Sequence, residues 1–286
     1  MDQASTLCAV AKSVDHASPT RVLAITSGKG GVGKTNIVAN LAFALTKLGK
    51  KVLVVDADLG LANLDIPLDV TPQYTLEHVF LGSESLQDIV LEGPGGMSIL
   101  PSSSGVQRLT ELSADQKLAD VVLIDTAAGI SSNVIYFVLA SQEIIVVTCS
   151  EPTAIMDAYA LIKILAREYD RRQFLILVNS ATTAQEGEAA FEKLNCATQK
   201  FLDISLHFLG WIPNDPYVRK AVKQQKLVVD AYPHAQASRA FLKLAMAICA
   251  LPSALLPSGQ IQFFWRRLFH CGNHATDHRR ADRGVA

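Results

Sequence analysis

No pairing of cysteines and no long apolar run organises this chain. Its 286 residues hold five cysteines, Cys8, Cys149, Cys196, Cys249 and Cys271, an odd and scattered set without a CxxC, which excludes a disulfide framework and fits a reduced, cytosolic chain. Neither sign of charge is in surplus: 26 Lys and Arg face 27 Asp and Glu. Aromatics are few, at 7%. The first residues offer only the short apolar run Leu7–Ala11, with Asp2 where a signal peptide carries Lys or Arg, so secretion is not expected. The most membrane-like stretch, Ala240–Leu256, is interrupted by Lys243 and Pro252 and is too short to span, and reads as a buried helix.

What the chain does have is core-forming material. Hydrophobic residues make up 49% and DEKR 19%, which excludes a disordered protein; the length suits one large domain or two small ones, with no need of a disulfide or metal staple. The near-neutral total hides an asymmetry. Residues 260–286 carry five Arg against two Asp, a net of +3, which leaves −4 for the rest and places attraction to anionic surfaces in the tail.

After residue 20, short β-branched runs (Val22–Thr26, Val52–Asp56, Val121–Asp125, Ile144–Cys149, Phe174–Asn179 and Phe208–Ile212) alternate with stretches of helical spacing such as Asn36–Leu48 and Thr153–Glu168. Runs that are apolar at every position predict strands buried on both faces, hence an α/β fold: a mostly parallel sheet of about seven or eight strands with helices on both faces. This domain should span 20–250, preceded by a short segment, 1–19, and followed by 251–286, a Pro/Ser/Gly linker, an amphipathic helix and a polar tail.

Between the first strand and first helix stands Ser27-Gly28-Lys29-Gly30-Gly31-Val32-Gly33-Lys34-Thr35, which matches G-x-x-x-x-G-K-[ST] in the strand–turn–helix context the motif requires. The glycines let successive N–H groups point inward as a phosphate nest, and the helix N-terminus adds its dipole. Lys34 is expected at the β/γ-phosphates and Thr35 on Mg²⁺. Asp56-Ala57-Asp58 follows the second strand, and Asp125-Thr126-Ala127-Ala128-Gly129-Ile130 begins at the end of the Val121 strand.

The extra lysine, Lys29, makes this loop resemble the deviant Walker A motif of the MinD/ParA ATPases. That resemblance implies a P-loop fold, ATP and Mg as cofactors, slow hydrolysis and an ATP-sandwich homodimer in which Lys29 reaches the partner's phosphates. It implies that Asp58 orients the attacking water, that Thr35, Asp56 and Asp125 hold the Mg²⁺ shell, that Gly28–Asn36 bind phosphate, and that Asn179, Pro213 and Asp215 border the adenine. Finer features, Lys34-Thr35-Asn36, Asp58-Leu-Gly-Leu-Ala-Asn63-Leu-Asp65, Glu151-Pro152-Thr153, Asp157-Ala-Tyr159 and Ala231-Tyr232-Pro233, resemble the flagellar-number ATPases of the FlhG (FleN) type. Asp2-Gln3-Ala4-Ser5-Thr6-Leu7 is similar to the element with which that branch engages an FlhF-type GTPase; Asp2, Gln3, Ala4 and Leu7 would make the contact. The branch also implies flagellar switch proteins or a transcriptional regulator as partners.

In helical spacing Ile261, Phe264, Trp265, Leu268 and Phe269 share one face, beside Arg266 and Arg267, a pattern suited to lying in a lipid headgroup region. The expected location is therefore cytoplasmic, peripherally bound to the inner membrane. Direct nucleic-acid binding is not expected, because a partition ATPase would show a basic surface and the body totals −4. His270, Cys271, His274 and His278 have ligand types but no zinc-site frame and read as an incidental His-rich tail. Two departures from the flagellar branch are expected to touch interface and turnover: Ala127 where Gly is usual, and Thr148-Cys149-Ser150 where Pro precedes Glu151. The segment between Ser104 and Asp125 is also shorter than the family's. A MinD-like division-site regulator and a nucleotide-binding scaffold with negligible hydrolysis stay open.

Overall fold

A computed structural model describes residues 20–58, 89–101, 119–204 and 206–251. In chain order the elements are β1 (Arg21–Ser27), α1 (Lys34–Lys47), β2 (Val52–Ala57), β3 (Leu91–Glu92), a 3₁₀ turn (Pro94–Gly96), β4 (Ser98–Leu100), β5 (Val121–Ala128), α2 (Ser132–Ala140), β6 (Glu143–Thr148), α3 (Pro152–Tyr169), β7 (Leu175–Ala181), α4 (Ala184–Leu202), β8 (His207–Pro213), α5 (Pro216–Lys223), α6 (Val228–Ala231) and α7 (Gln236–Ala250). The eight strands form one sheet in the order β3-β4-β2-β5-β1-β6-β7-β8. Among the described residues only β3 and β4 pair antiparallel.

The alternation within each strand divides the core into two layers. Val22 and Ala24 of β1, Leu53 and Val55 of β2 and Val122 and Ile124 of β5 face α2, α3 and α4. Leu23 and Ile25, Val52 and Val54, and Val121 and Leu123 face α1, α6 and α7. Every residue of β1 is buried, so both faces must be apolar, and this is why the sequence shows unbroken runs rather than alternation. The chain leaves β1 in one direction toward β5 and β2 and returns on the other side to β6, β7 and β8. Such a reversal opens a crevice above the carboxyl end of the central strand, where α/β sheets bind ligands.

Local boundaries differ from expectation in instructive ways. Helix α1 begins at Lys34, two residues before the expected Asn36, because the glycine turn ends at Gly33. The stretch expected as a buried helix from Ala240 starts at Gln236 and ends at Ala250; it buries Ala237, Phe241, Leu244, Ala245 and Ile248 on one side and leaves Met246 exposed on the other. The guanidinium of Arg21, at the foot of β1, donates to the carbonyls of Ile248 and Leu251 and pairs with Glu143, so the last turn of α7 is fixed to the sheet. Among the described residues no helix is long and apolar enough to cross a membrane.

Candidate nucleotide site

The loop from Gly28 to Gly33 is shaped by two glycines that no other residue replaces. A Cβ on Gly28 would lie 2.1 Å from the carbonyl carbon and oxygen of Asp157 in α3, so the loop rests directly on helix backbone. Gly33 caps α1 with φ of 92°, a left-handed conformation that disfavours a side chain. Its own Cβ would sit 2.5 Å from Nδ2 of Asn179, which donates to the Val32 carbonyl at 2.8 Å. The Gly129 N–H donates to the Ser27 carbonyl at 2.8 Å, which ties the strand-end loop after β5 to the base of the glycine loop.

Within this cradle Lys34 is buried, with 8% of its surface exposed, and donates from Nζ to Ser27 Oγ at 2.9 Å. Burial pulls its ammonium below the usual lysine range, while Asp125 and Asp58 push it back. Asp56 and Asp125 are register partners on the adjacent parallel strands β2 and β5. Ile124 and Val55, the residues before them, face the opposite helix layer, so both carboxylates point to the α1 side, toward Lys34 and Thr35. The Asp58 N–H donates to Asp56 Oδ1 at 3.0 Å, which fixes the turn after β2.

Asp125 is strongly perturbed. It is 1% exposed and neither carboxylate oxygen completes a hydrogen bond. Burial pushes its carboxyl up to about 6 from 3.8, partly offset by the Thr35 hydroxyl and the Lys34 ammonium. A buried, unpaired carboxylate beside a lysine, a threonine hydroxyl and a second aspartate is costly in an apolar fold and is the donor set a hard cation takes, since Mg²⁺ is held by one or two carboxylates together with substrate phosphates. The residues present therefore fit Mg²⁺.

Lys29 has a different environment. It is exposed on the loop surface, and its Nζ bonds Glu151 Oε2 at 2.7 Å and Thr153 Oγ1 at 3.0 Å, at the start of α3. The Glu151 bond raises its pKa. The two lysines of one loop are thus divided, one desolvated in the cradle and one held outside it by the chain's own carboxylate.

A pocket of about 510 Å³ continues from the glycine loop, lined among others by Gly33, Asn36, Asn179, Pro213 and Asp215, within the range of small-molecule sites. The expected base-side residues are thus brought together with the loop. Asp215, however, has both oxygens engaged: Oδ1 accepts from the Tyr217 N–H at 2.9 Å and Oδ2 from the Ala237 N–H at 3.0 Å. It joins the start of α5 to the start of α7. Sequence reasoning missed Cys149, Ser150, Val218, Arg219 and Phe241 as pocket walls and Glu151 with Thr153 as the holders of Lys29; Glu151-Pro152-Thr153 stands out only as a family feature and Thr148-Cys149-Ser150 only as a departure from it, neither with these contacts attached. Ala127 lies in β5 with no positive φ, half-buried against the core, so the backbone there makes no demand for glycine. The elements proposed at Asp2–Leu7 and Ile261–Phe269, the His270–His278 cluster and the Ser104 segment lie outside the described residues.

Comparison with known proteins gives the family. Residues 23–233 match the model of the CobQ/CobB/MinD/ParA nucleotide binding domain. The chain is 45% identical over 269 residues to the antiactivator FleN of Pseudomonas aeruginosa, covering 90% of this chain and 96% of that protein. It is 35% identical to the flagellum site-determining protein YlxH of Helicobacter pylori, covering 89% and 91%. The septum site-determining protein MinD of Pyrococcus horikoshii, solved with Mg-ADP, superposes with a TM-score of 0.64 at 30% identity, covering 80% of this chain and 96% of that one. The chain belongs to the CobQ/CobB/MinD/ParA nucleotide-binding family and is an ATPase of the MinD/ParA type.

Proposed function

We propose that this ATPase is a nucleotide-driven switch that sets flagellar number or placement by cycling between a monomer and an ATP-sandwiched homodimer. The observation that carries the switch is the split between Lys34, desolvated in the cradle with the unpaired Asp125 opposite, and Lys29, exposed at its rim. Phosphoryl transfer needs placed positive charge and an oriented water more than covalent help. In this reading the loop N–H groups from Gly28 to Thr35 and Lys34 bind the β/γ-phosphates, with Asn36 beside them. Asp58 orients the attacking water. Thr35 with Asp56 and Asp125 would hold Mg²⁺, directly or through water, and the ion would supply charge neutralisation at the phosphates. Asn179, Pro213 and the turn fixed by Asp215 border the adenine. Lys29 must leave Glu151 and Thr153 before it can reach a second copy's phosphates, so the dimer forms at the expense of an existing contact.

Flagellar control is supported by the likeness to FleN and YlxH over nearly their whole lengths. Residues 20–250 are the ATPase domain. The 1–19 segment engages an FlhF-type GTPase through Asp2, Gln3, Ala4 and Leu7. The 251–286 segment binds inner-membrane lipid through Ile261, Phe264, Trp265, Leu268 and Phe269, on the cytoplasmic face. Single-turnover ATP hydrolysis with and without lipid, with mass measured in solution, tests the switch. Asp58→Ala should keep ATP and accumulate as dimer, Lys34→Ala should lose ATP, and Lys29→Ala should bind ATP as a monomer. Hydrolysis by Asp58→Ala at the parent rate would refute the assignment of Asp58. A cell lacking the gene and given Asp58→Ala should change its count of flagella per cell relative to the parent gene.

A further inference from the structure

A second concavity lies at the β8 edge of the sheet, where no further strand pairs among the described residues. It is a groove of about 540 Å³ floored by Leu209, Gly210 and Trp211 of β8 and by Ala240, Leu244 and Ala247 of α7. Helix α7 makes it by carrying two stripes. Phe241, Ala245 and Ile248 turn into the core, while Gln236, Ala240, Lys243 and Ala247, spaced three and four residues apart, line the groove. Gly210, at φ of 141° beside a register shift in the β7 ladder, carries no side chain to fill the space.

The groove is ringed by one sign of charge. Arg239 and Lys243 stand exposed at its margin, no carboxylate lines it, and neither cation has an acidic partner among the described residues. The bias extends beyond it: residues 216–243 hold six Lys and Arg (Arg219, Lys220, Lys223, Lys226, Arg239 and Lys243) against Asp230 alone, a surplus of five. The chain's net charge is −1, so this is a local reversal within an otherwise acidic body. It adds a second cationic region to the one expected in the tail.

We propose that this groove docks a short acidic segment of a partner protein, with apolar side chains seated on the Leu209–Trp211 and Leu244 floor and carboxylates against Arg239 and Lys243. The apolar floor calls for side chains that leave water, and the cationic margin for flanking negative charge, which together describe an amphipathic acidic peptide. The chain's own C-terminal segment is the wrong sign, since residues 260–286 carry five Arg against two Asp.

The protein has two tryptophans, so Trp265→Phe in the full chain leaves Trp211 as a reporter in the groove wall. The probe is a fluorescein-labelled peptide of repeated Leu-Glu-Glu-Leu; its counterpart with Lys for Glu is the control. The Glu peptide should bind, shift Trp211 emission to the blue and weaken by about tenfold with Arg239→Glu and Lys243→Glu together, as expected when close charge pairs are reversed. Arg239→Gln with Lys243→Gln should fall between, and added salt should weaken parent binding. Both side chains are exposed, so the substitutions leave the core alone. Equal binding of the two peptides, or binding that moves neither Trp211 emission nor with the substitutions, would overturn the proposal. So would a short DNA duplex that outcompetes the peptide through the same two cations. A parent spectrum that reddens on Ile261→Glu with Phe264→Glu would place the chain's own tail in the groove and also overturn it. The groove shares Pro213 with the nucleotide pocket, but Arg239 and Lys243 do not line that pocket, so these outcomes leave the ATPase reading unaffected.

Discussion

Replacing Asp125 by asparagine should make the nucleotide-free protein more stable at neutral pH while weakening its stabilisation by Mg²⁺ and nucleotide. The carboxyl is raised by burial from 3.8 to about 6. The folded state therefore holds this proton more tightly than the unfolded chain. Stability is fully present below the unfolded value, is lost as pH rises from about 4 to about 6, and is flat above that. A displacement of roughly two pH units at about 1.4 kcal/mol each amounts to about 3 kcal/mol at neutral pH. The asparagine amide would keep the shape and remove the charge. Part of the gain is lost, because Lys34 would then be buried beside one fewer anion and the amide needs partners of its own.

The assay is urea unfolding of parent and Asp125→Asn in EDTA without nucleotide, from about pH 4 to about pH 8. The stability difference in favour of the variant should widen by about 2–3 kcal/mol between the acid and neutral ends. Glu143 is also pushed up by burial, but it is common to both proteins and cancels in the difference. With ATP and Mg²⁺ the variant's advantage should shrink, since it keeps the loop and Lys34 but loses one of the carboxylates that would hold Mg²⁺. A stability difference that stays constant with pH would refute the claim that an unpaired, charged Asp125 strains the empty site.

Gly28→Ala should be destabilised by about 2–4 kcal/mol and lose ATP binding, because the new methyl would press on α3 backbone that cannot rotate away. Gly30→Ala, with nothing within 4 Å and no positive φ, should unfold within about 0.5 kcal/mol of the parent; equal losses in thermal melts would show that loop packing is not the cause. Phe264→Glu with Trp265→Glu should abolish flotation with liposomes in ATP, as two buried aromatics contribute a few kcal/mol at about 25 cal/mol per Å²; unchanged flotation would remove the membrane role. A peptide of residues 1–19 should stimulate GTP turnover by the FlhF-type GTPase of the same cell, and Gln3→Ala should abolish it; no effect from peptide or full chain would refute the partner role of that segment.

The parts of this molecule that were legible from its sequence are those whose physics is local. A parallel strand buried on both sides must be apolar at every position, so β1, β2, β5 and β6 announce themselves, and a phosphate nest must have glycines at fixed offsets before a helix. Strands β3 and β4 do not, because Leu91–Glu92 and Ser98–Leu100 are two and three residues long and exist only through pairing to each other and to β2. The same division runs through the site. Lys34 and Asp125 stand in recognisable local patterns, whereas the contact of Lys29 with Glu151 spans 122 residues and no pattern near either end foretells it. Asp215 shows how a motif can name a residue and leave part of its work unseen. Its position beside Pro213 suggests a side chain turned to the base, yet both oxygens bind backbone N–H groups of separate helices. What it controls is where α7 begins, and α7 places Phe241 in the wall of the nucleotide pocket and Arg239 and Lys243 at the margin of the groove behind it. One buried carboxylate therefore fixes a helix shared by two concavities, a fact that lies in the tertiary fold and in no segment of the sequence taken alone.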